Sequence, residues 1–369
     1  MNQAESIMEK MDANLIEGPG CVFTICNLKY LPQALVAIST YSEFHAVDRK
    51  SIVVMDLEEG SQIQGINLIP LRTIVAGTNH LVDENLSEIF KHYDITSACT
   101  AVKPLALLYF KIQLPYIEFY TYIDPDTFWV GSLDCKFERN TLYFFRHRHD
   151  LGRADGYSGY NFLSFGGVNL GLFVDTGTAI ENIVAWHKFA LNINYESSML
   201  GFYTDQKPAD MLVISQRALC IYDERVNLSY WNIADVELVN ENGRFSVLQF
   251  GALRHLVMFH FSGYKSKIDD YNSDRKEQYL GSKSIKNIIK AHEIYNDEIK
   301  SRVNILKSYN LNSNNIGKVG SHVIIRYLYK LKYGKSRSIT KQLICHLLSF
   351  DFICKLISRM YKIKNPLKI

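Results

Sequence analysis

The sequence predicts an α/β fold: a Rossmann-like, mostly parallel sheet flanked by helices, followed by a helical, basic C-terminal region. Three observations predict it. Short β-prone apolar runs alternate with stretches of helical spacing. The alternation opens on a strand, a helix and a second strand. Beyond about Tyr264 the composition turns polar and then strongly basic.

Val22–Cys26 is the first strand, and Asn27–Tyr30 is a turn. Pro32–Tyr41 has helical spacing, with Leu35, Ile38 and Thr40 along it and Pro32 near its first turn, where proline is tolerated. Ile52–Met55 is a second strand that ends at Asp56. Parallel sheets carry their ligand sites at strand carboxyl ends. No GxGxxG follows the first strand, so the dinucleotide fingerprint is missing. Lys103–Leu114 is helical, with apolar residues at 105, 107, 108 and 110. Glu118–Ile123 is a buried strand running into Asp124-Pro125-Asp126. Thr141–Phe145 and Val168–Val174 are strands, and Ile180–Leu191 is a helix carrying Trp186. Thr204–Val213 begins polar and continues as a short helix. Leu256–Phe261 is the last clear strand, and Ile285–Ile305 is a helical patch.

Composition bounds the function. With 369 residues, 47% of them apolar and 21% charged, the chain has ample material for a large core and is not disordered. The net charge of +3 gives no reason to expect nucleic acid as a partner. That small value hides an asymmetry. From Lys318 onward there are 12 Lys and Arg against one acid, Asp351, while the rest holds 29 basic and 37 acidic residues. Leu343, Leu347, Phe350, Ile353 and Ile357 fall on one helical face in this tail. A basic amphipathic helix suits an anionic membrane surface, or packs its face on the body. The seven cysteines are widely spaced with no CxxC pair, which fits a reducing cytosol. Met1–Asp12 lacks the apolar core of a signal peptide, and no run approaches a membrane span. A cytoplasmic location, peripheral at the inner face of the membrane, is the expectation.

Asp124-Pro125-Asp126 is the sharpest chemical feature. Two carboxylates one residue apart repel unless a cation sits between them, and a divalent ion carrying phosphate oxygens meets that need. The plain alternative is an Asp-Pro turn. Arg146-His147-Arg148-His149 would place two imidazoles on one strand face, suited to metal; a solvated basic loop or an acceptor-side anion contact is the favoured reading. Trp129, Trp186 and Trp231 are core or rim residues rather than substrate platforms.

Thr100-Ala101-Val102-Lys103-Pro104, the helix after it and YIDPDTFWVGSLD together resemble the nucleotide-sugar glycosyltransferases of the GT-A class. The branch is the glycogenin-like and lipopolysaccharide galactosyltransferase-like one, family eight and its relatives. The resemblance spans roughly residues 20–265 and continues in order. Thr24, Asn27 and Tyr30 in VFTICNLKY match the loop that holds the nucleoside. Asn169 and Gly171 in VNLGLFV match the strand and turn beside the donor sugar. Asp205-Gln206, after Thr204, matches the segment at the reacting sugar. Phe259-His260-Phe261-Ser262-Gly263 matches a late segment whose histidine is a metal ligand.

The resemblance implies a GT-A catalytic domain over residues 18–265 and a helical, basic region over 266–369. It implies Mn2+ (or Mg2+) held by Asp124, Asp126 and His260, and donor contacts from Thr24, Asn27, Tyr30, Lys103, Asn169, Gly171, Gly263 and Lys265. Asp205 and Gln206 would act at the sugar. The family's phosphate-binding lysine falls on Ser266 here, with Lys265 and Lys267 on either side. The implied reaction moves a sugar from a nucleotide-sugar, a UDP-sugar by expectation, to a hydroxyl of a glycan or glycolipid with retention. An inverting enzyme would need a base, for which Asp155 and Asp205 are candidates.

Each residue also has a structural reading. Lys103 could be a surface lysine, although a cation at a helix start opposes the helix dipole. Asn169 could hold a turn, His260 could be a core histidine, and Asp205 could cap the following helix. Asp124-Pro125-Asp126-Thr127 also fits the nucleophile of haloacid-dehalogenase-like phosphatases, with Asp269, Asp270 and Asp274 as their acids, but Tyr264–Ile268 is no strand and about 120 residues precede the motif. An inactive, sugar-binding protein on the same fold is the non-enzymatic alternative.

Overall fold

The computed structural model describes residues 18–82, 89, 95–147, 166–200, 205–233, 236–249, 251–265, 270–271, 279, 282–309 and 311. The chain divides into two units, Met1–Lys318 and Val319–Ile369. The second lies wholly outside the described residues, and with it the amphipathic face from Leu343 to Ile357.

The chain enters through β1 (Gly20–Cys26), whose residues are all buried. Asn27 caps a single 3-10 turn, Leu28–Tyr30, by accepting the Tyr30 N–H. Helix α1 (Leu31–Phe44) follows with proline in its first turn, and it buries Leu31, Ala34, Leu35, Ile38 and Tyr41 at helical spacing. β2 (Arg49–Val54) lies parallel to β1 and completes the predicted βαβ unit. A hairpin of β3 (Ser61–Ile63) and β4 (Ile66–Pro70) turns on Gln64 and Gly65, both at positive φ. Helices α2 (Leu71–Thr78), α3 (Ile95–Ala101) and α4 (Lys103–Gln113) precede β5 (Phe119–Ile123).

The middle of the chain holds β6 (Thr127–Trp129), β7 (Leu142–Arg146), β8 (Val168–Asp175), α5 (Ile180–Leu200), α6 (Gln206–Ile214) and β9 (Leu219–Ile221). A three-stranded meander follows, β10 (Glu237–Glu241), β11 (Arg244–Gln249) and β12 (Ala252–His255). Then come β13 (Met258–His260) and α7 (Ile285–Leu306).

Eight strands form one mixed sheet in the order β3-β4-β2-β1-β5-β8-β7-β9. The run from β4 to β5 is parallel, and β8 lies antiparallel to both β5 and β7. Apolar side chains cover both faces. Phe23, Ile25, Tyr122, Phe144 and Phe173 pack with Leu105, Leu108 and Trp186 on one side. Val22, Cys26, Ile52, Val54 and Leu172 pack with Leu35, Ile38 and Tyr41 on the other.

The predicted last strand is shorter than expected and leaves the main sheet. β13 pairs antiparallel with β6, placing His260 opposite Thr127. This ribbon is backed by a third cluster in which Phe128, Phe245, Phe259 and Phe261 meet Ile288, Ala291 and Tyr295 of α7. Its place is what brings residue 260 beside the strand-end acids.

Candidate active site

A cavity of about 480 Å³ opens at the carboxyl ends of β1 and β5. Its wall includes Asn27, Tyr30, Lys103, Asp124, Asp126, Asn169, Asp205, Gln206, His260 and Gly263, so ten of the thirteen candidate residues converge there. Three do not line it. Thr24 is fully buried and, by strand alternation, shares the side of Val22 and Cys26 toward α1. Gly171 lies behind His260: a Cβ built on it would come within 2.6 Å of that ring and 2.7 Å of Asn169 Oδ1. Lys265 is exposed and outside the wall. Lys267, Thr204 and Asp155 fall outside the described residues.

At the floor, Asp124 and Asp126 leave β5 through a turn closed by Thr127, whose N–H and Oγ1 both donate to the Asp124 carbonyl. The Asp124 N–H donates to the Gly171 carbonyl at 2.8 Å, tying the turn to β8. The Asp-Pro stretch is therefore a turn, and the turn aims both carboxylates into the cavity. Across from them stands His260. Its Nε2 is 3.2 Å from Asp126 Oδ1 and 3.6 Å from Asp124 Oδ2. Burial would push the imidazole pKa down, but Asp126 and Asp124 facing it hold it up. Burial would likewise raise the Asp126 carboxyl, yet His260 and the Gly263 N–H hold it low.

These three residues are the one group of acid, histidine or cysteine side chains among the described residues with ligand atoms gathered as for a metal ion. Those atoms lie within 4.8 Å of one another. Two carboxylate oxygens and an imidazole nitrogen, with no thiol, suit a divalent cation of the manganese or magnesium kind.

Lys103 is the second organising residue. It is no surface lysine but is 3% exposed. It starts α4, where its charge opposes the helix dipole. Asp205 Oδ2 at 2.8 Å and Asp124 Oδ1 at 3.1 Å compensate, and the Leu170 carbonyl accepts at 3.0 Å. Burial would depress the ammonium pKa, but the two acids lift it to about 12. Asp205 holds the position before α6, yet its side chain makes no capping hydrogen bond. The capping role is replaced by the ion pair with Lys103. Burial pushes the Asp205 carboxyl up against the pull of that lysine. Helix α6 is held in place by Asp210, which accepts the N–H groups of Gly167 and Val168 at 3.1 Å.

The histidine-arginine cluster is not simply a solvated loop. Arg146 ends β7, and its guanidinium sits over the Tyr222 ring. His147 lines the cavity and stacks on Trp231 at 5.1 Å. Arg148, His149 and the loop beyond them lie outside the described residues. Trp129 and Trp186 are core residues as expected, whereas Trp231 lies in the cavity wall, its ring perpendicular to that of His260. Asp270, considered for a phosphatase site, is exposed and stands apart from the acid-histidine group. Asp269 and Asp274 fall outside the described residues.

Tyr122 and Tyr230 line the cavity and were not selected by motif reading, and Trp231, read as core or rim, joins them there. Tyr122 was legible as an alternate position of the strand before the acids. Its hydroxyl donates to Asp124 Oδ1 at 2.5 Å.

No protein-family model matches the chain, and no curated protein matches it in sequence. Solved structures do match. One is a glycosyltransferase involved in glycosylation of the major capsid of PBCV-1, at 11% identity and a TM-score of 0.38, covering 70% of this chain and 98% of that one. Another is the galactosyltransferase LgtC in complex with donor and acceptor sugar analogs, at 14% identity and a TM-score of 0.41, covering 76% and 95%. At these values neither likeness bears on what this chain does.

Proposed function

We propose that the chain is a glycosyltransferase of GT-A type that moves a sugar from a nucleotide-sugar, by preference a UDP-sugar, to a hydroxyl of a glycan or glycolipid. The observation that carries this reading is the convergence of Asp124, Asp126 and His260 at the floor of a cavity whose charge is otherwise wrong for an anionic donor. Three carboxylates, Asp124, Asp126 and Asp205, face it with one ammonium, Lys103. A diphosphate entering such a site is repelled unless a divalent ion comes with it. When bound, that ion, Mn2+ or Mg2+, would neutralise charge on the leaving diphosphate as a Lewis acid.

The chain's own residues do the rest. Asn27 and Tyr30 at the end of β1 bound the nucleoside side of the cavity. Lys103 fixes the Asp124 and Asp205 carboxylates, so its ammonium orders the wall on which the sugar would lie. Asn169 is positioned by its own turn, its Oδ1 accepting the Gly171 N–H at 2.7 Å. Asp205 and Gln206 would orient the sugar and stabilise positive charge at its anomeric carbon. The resemblance in sequence supports retention of configuration. The catalytic unit of this proposal is residues 18–265, buttressed by α7, and the basic remainder is the candidate for holding an anionic membrane.

The test is a donor screen. Full-length protein is incubated with Mn2+ and several nucleotide-sugars, and released nucleoside diphosphate is measured. Release should vanish in EDTA. Asp126→Asn should fall by about two orders of magnitude or more, as expected when transition-state charge stabilisation is lost. Activity that survives EDTA removes the metal from the reading. Phosphate release from simple phosphomonoesters that depends on Asp124 replaces it with a phosphatase.

A further inference from the structure

Each acid at the floor gives one oxygen to the protein and turns the other toward a common point. Asp126 Oδ2 accepts the Gly263 N–H at 3.2 Å, while its Oδ1 faces His260. Asp124 Oδ1 accepts the Tyr122 hydroxyl at 2.5 Å and meets Lys103 at 3.1 Å, while its Oδ2 faces His260. Tyr122 has little freedom to let go. It is 1% exposed, and its ring stacks on Phe173 at 5.0 Å. The Phe23 ring packs at a steep angle to it with centroids 5.5 Å apart, and Lys103 Nζ lies 4.8 Å from the Tyr122 ring centre. A buried hydroxyl held this way needs an acceptor, and Asp124 is the acceptor it has.

We propose that Tyr122 is a positioning residue for the cation site, its hydroxyl occupying Asp124 Oδ1 so that this carboxylate offers a cation one oxygen and not two. The inference rests on the metal-dependent reading above. A free carboxylate binds a cation through one oxygen or through both. Ca2+ accepts the two-oxygen mode and takes six to eight ligands, whereas Mg2+ demands compact octahedral geometry. Committing one oxygen of each acid to a fixed donor therefore favours a small six-coordinate ion and leaves positions for substrate oxygens. The outer partner is an aromatic hydroxyl rather than a flexible side chain, which makes the restriction rigid.

The experiment titrates Mn2+ alone into full-length wild type and Tyr122→Phe, reading free Mn2+ by electron paramagnetic resonance, with Ca2+ as competitor. Phenylalanine keeps the ring stack. Tyr122→Met serves as a second hydroxyl-free variant should the first not fold. The expected result is a Mn2+ affinity about tenfold or more weaker, the range seen when such outer-shell partners are removed. Ca2+ should compete better relative to Mn2+, and the melting temperature without metal should stay close to that of wild type. Equal Mn2+ affinity in wild type and a folded hydroxyl-free variant overturns the positioning role and leaves the metal reading intact. Weaker Mn2+ binding with an unchanged Ca2+ to Mn2+ preference overturns the one-oxygen restriction. Wild type that binds neither Mn2+ nor Mg2+ overturns both.

Discussion

Lys103 is a buried cation that lies between two acids without being in excess of them. Replacing it with methionine keeps the volume but leaves Asp205 and Asp124 facing each other without a counter-charge. Breaking a buried pair from one side typically costs about 3–5 kcal/mol. Lys103→Met should therefore lower stability to urea by that order, and adding Asp205→Asn should restore part of it. Equal stability of the single variant and wild type would show that water already screens these acids. Gly171 matters at the same scale for a different reason. A methyl group there has no room beside the His260 ring. Gly171→Ala should displace the imidazole from the acids, so Mn2+ binding weakens while circular dichroism is unchanged. Retained Mn2+ affinity would mean that the ring moves freely. Gly171 and His260 were each legible in the sequence, but their contact was not, because His260 comes from a strand nearly ninety residues later.

Elements differ in how plainly the sequence announces them. β1, β5 and β8 are mostly apolar because the sheet buries both of their faces, and such runs stand out even with Thr24, Thr121, Asn169 and Asp175 among them. Their direction does not, so the antiparallel placement of β8 appears only in three dimensions. The meander β10–β12 escaped notice because its strands are short and half exposed. Even so, Asn242-Gly243, with both residues at positive φ, is the hairpin signal such turns demand. The helix α7 was expected and is present, but its role comes from one face. His292 on that face is buried among Tyr271, Tyr264, Tyr279 and Phe261, with Nε2 3.0 Å from the Tyr271 hydroxyl. Burial drives its pKa from 6.5 down to about 4. An unfolded chain takes up that proton near pH 6.5 and the folded one does not. The stability is thus fully present above pH 6.5 and is lost as pH falls toward 4, by about 3 kcal/mol at 1.36 per pKa unit. Thermal unfolding between pH 7.5 and 4.5 should fall more steeply for wild type than for His292→Gln. Parallel curves would place the loss elsewhere.

For the whole molecule, charge is divided along the chain rather than spread over it. Removing residues from 321 onward deletes 11 Lys and Arg and the single acid Asp351. No single helix among the described residues is long and apolar enough to cross a membrane. The bent pair α3–α4 matches one in length and composition only, and its apolar side chains sit in the core. The basic tail is the segment whose charge suits an anionic surface. The truncated chain should keep donor hydrolysis and lose co-sedimentation with anionic vesicles at low salt, where such attraction is strongest. Full-length protein that ignores those vesicles would give the tail a different task. The three ties at the Lys103 ammonium have a consequence for how the molecule breathes. They join β5, β8 and α6 through one atom, and the Asp124 amide adds a backbone link to Gly171. A strand end cannot fray away from that knot without undoing the others. Amide protons at Asp124 and along the adjoining stretch of β8 should therefore exchange with solvent deuterium as a single cooperative unit, at one shared opening free energy, rather than as a gradient from rim to core.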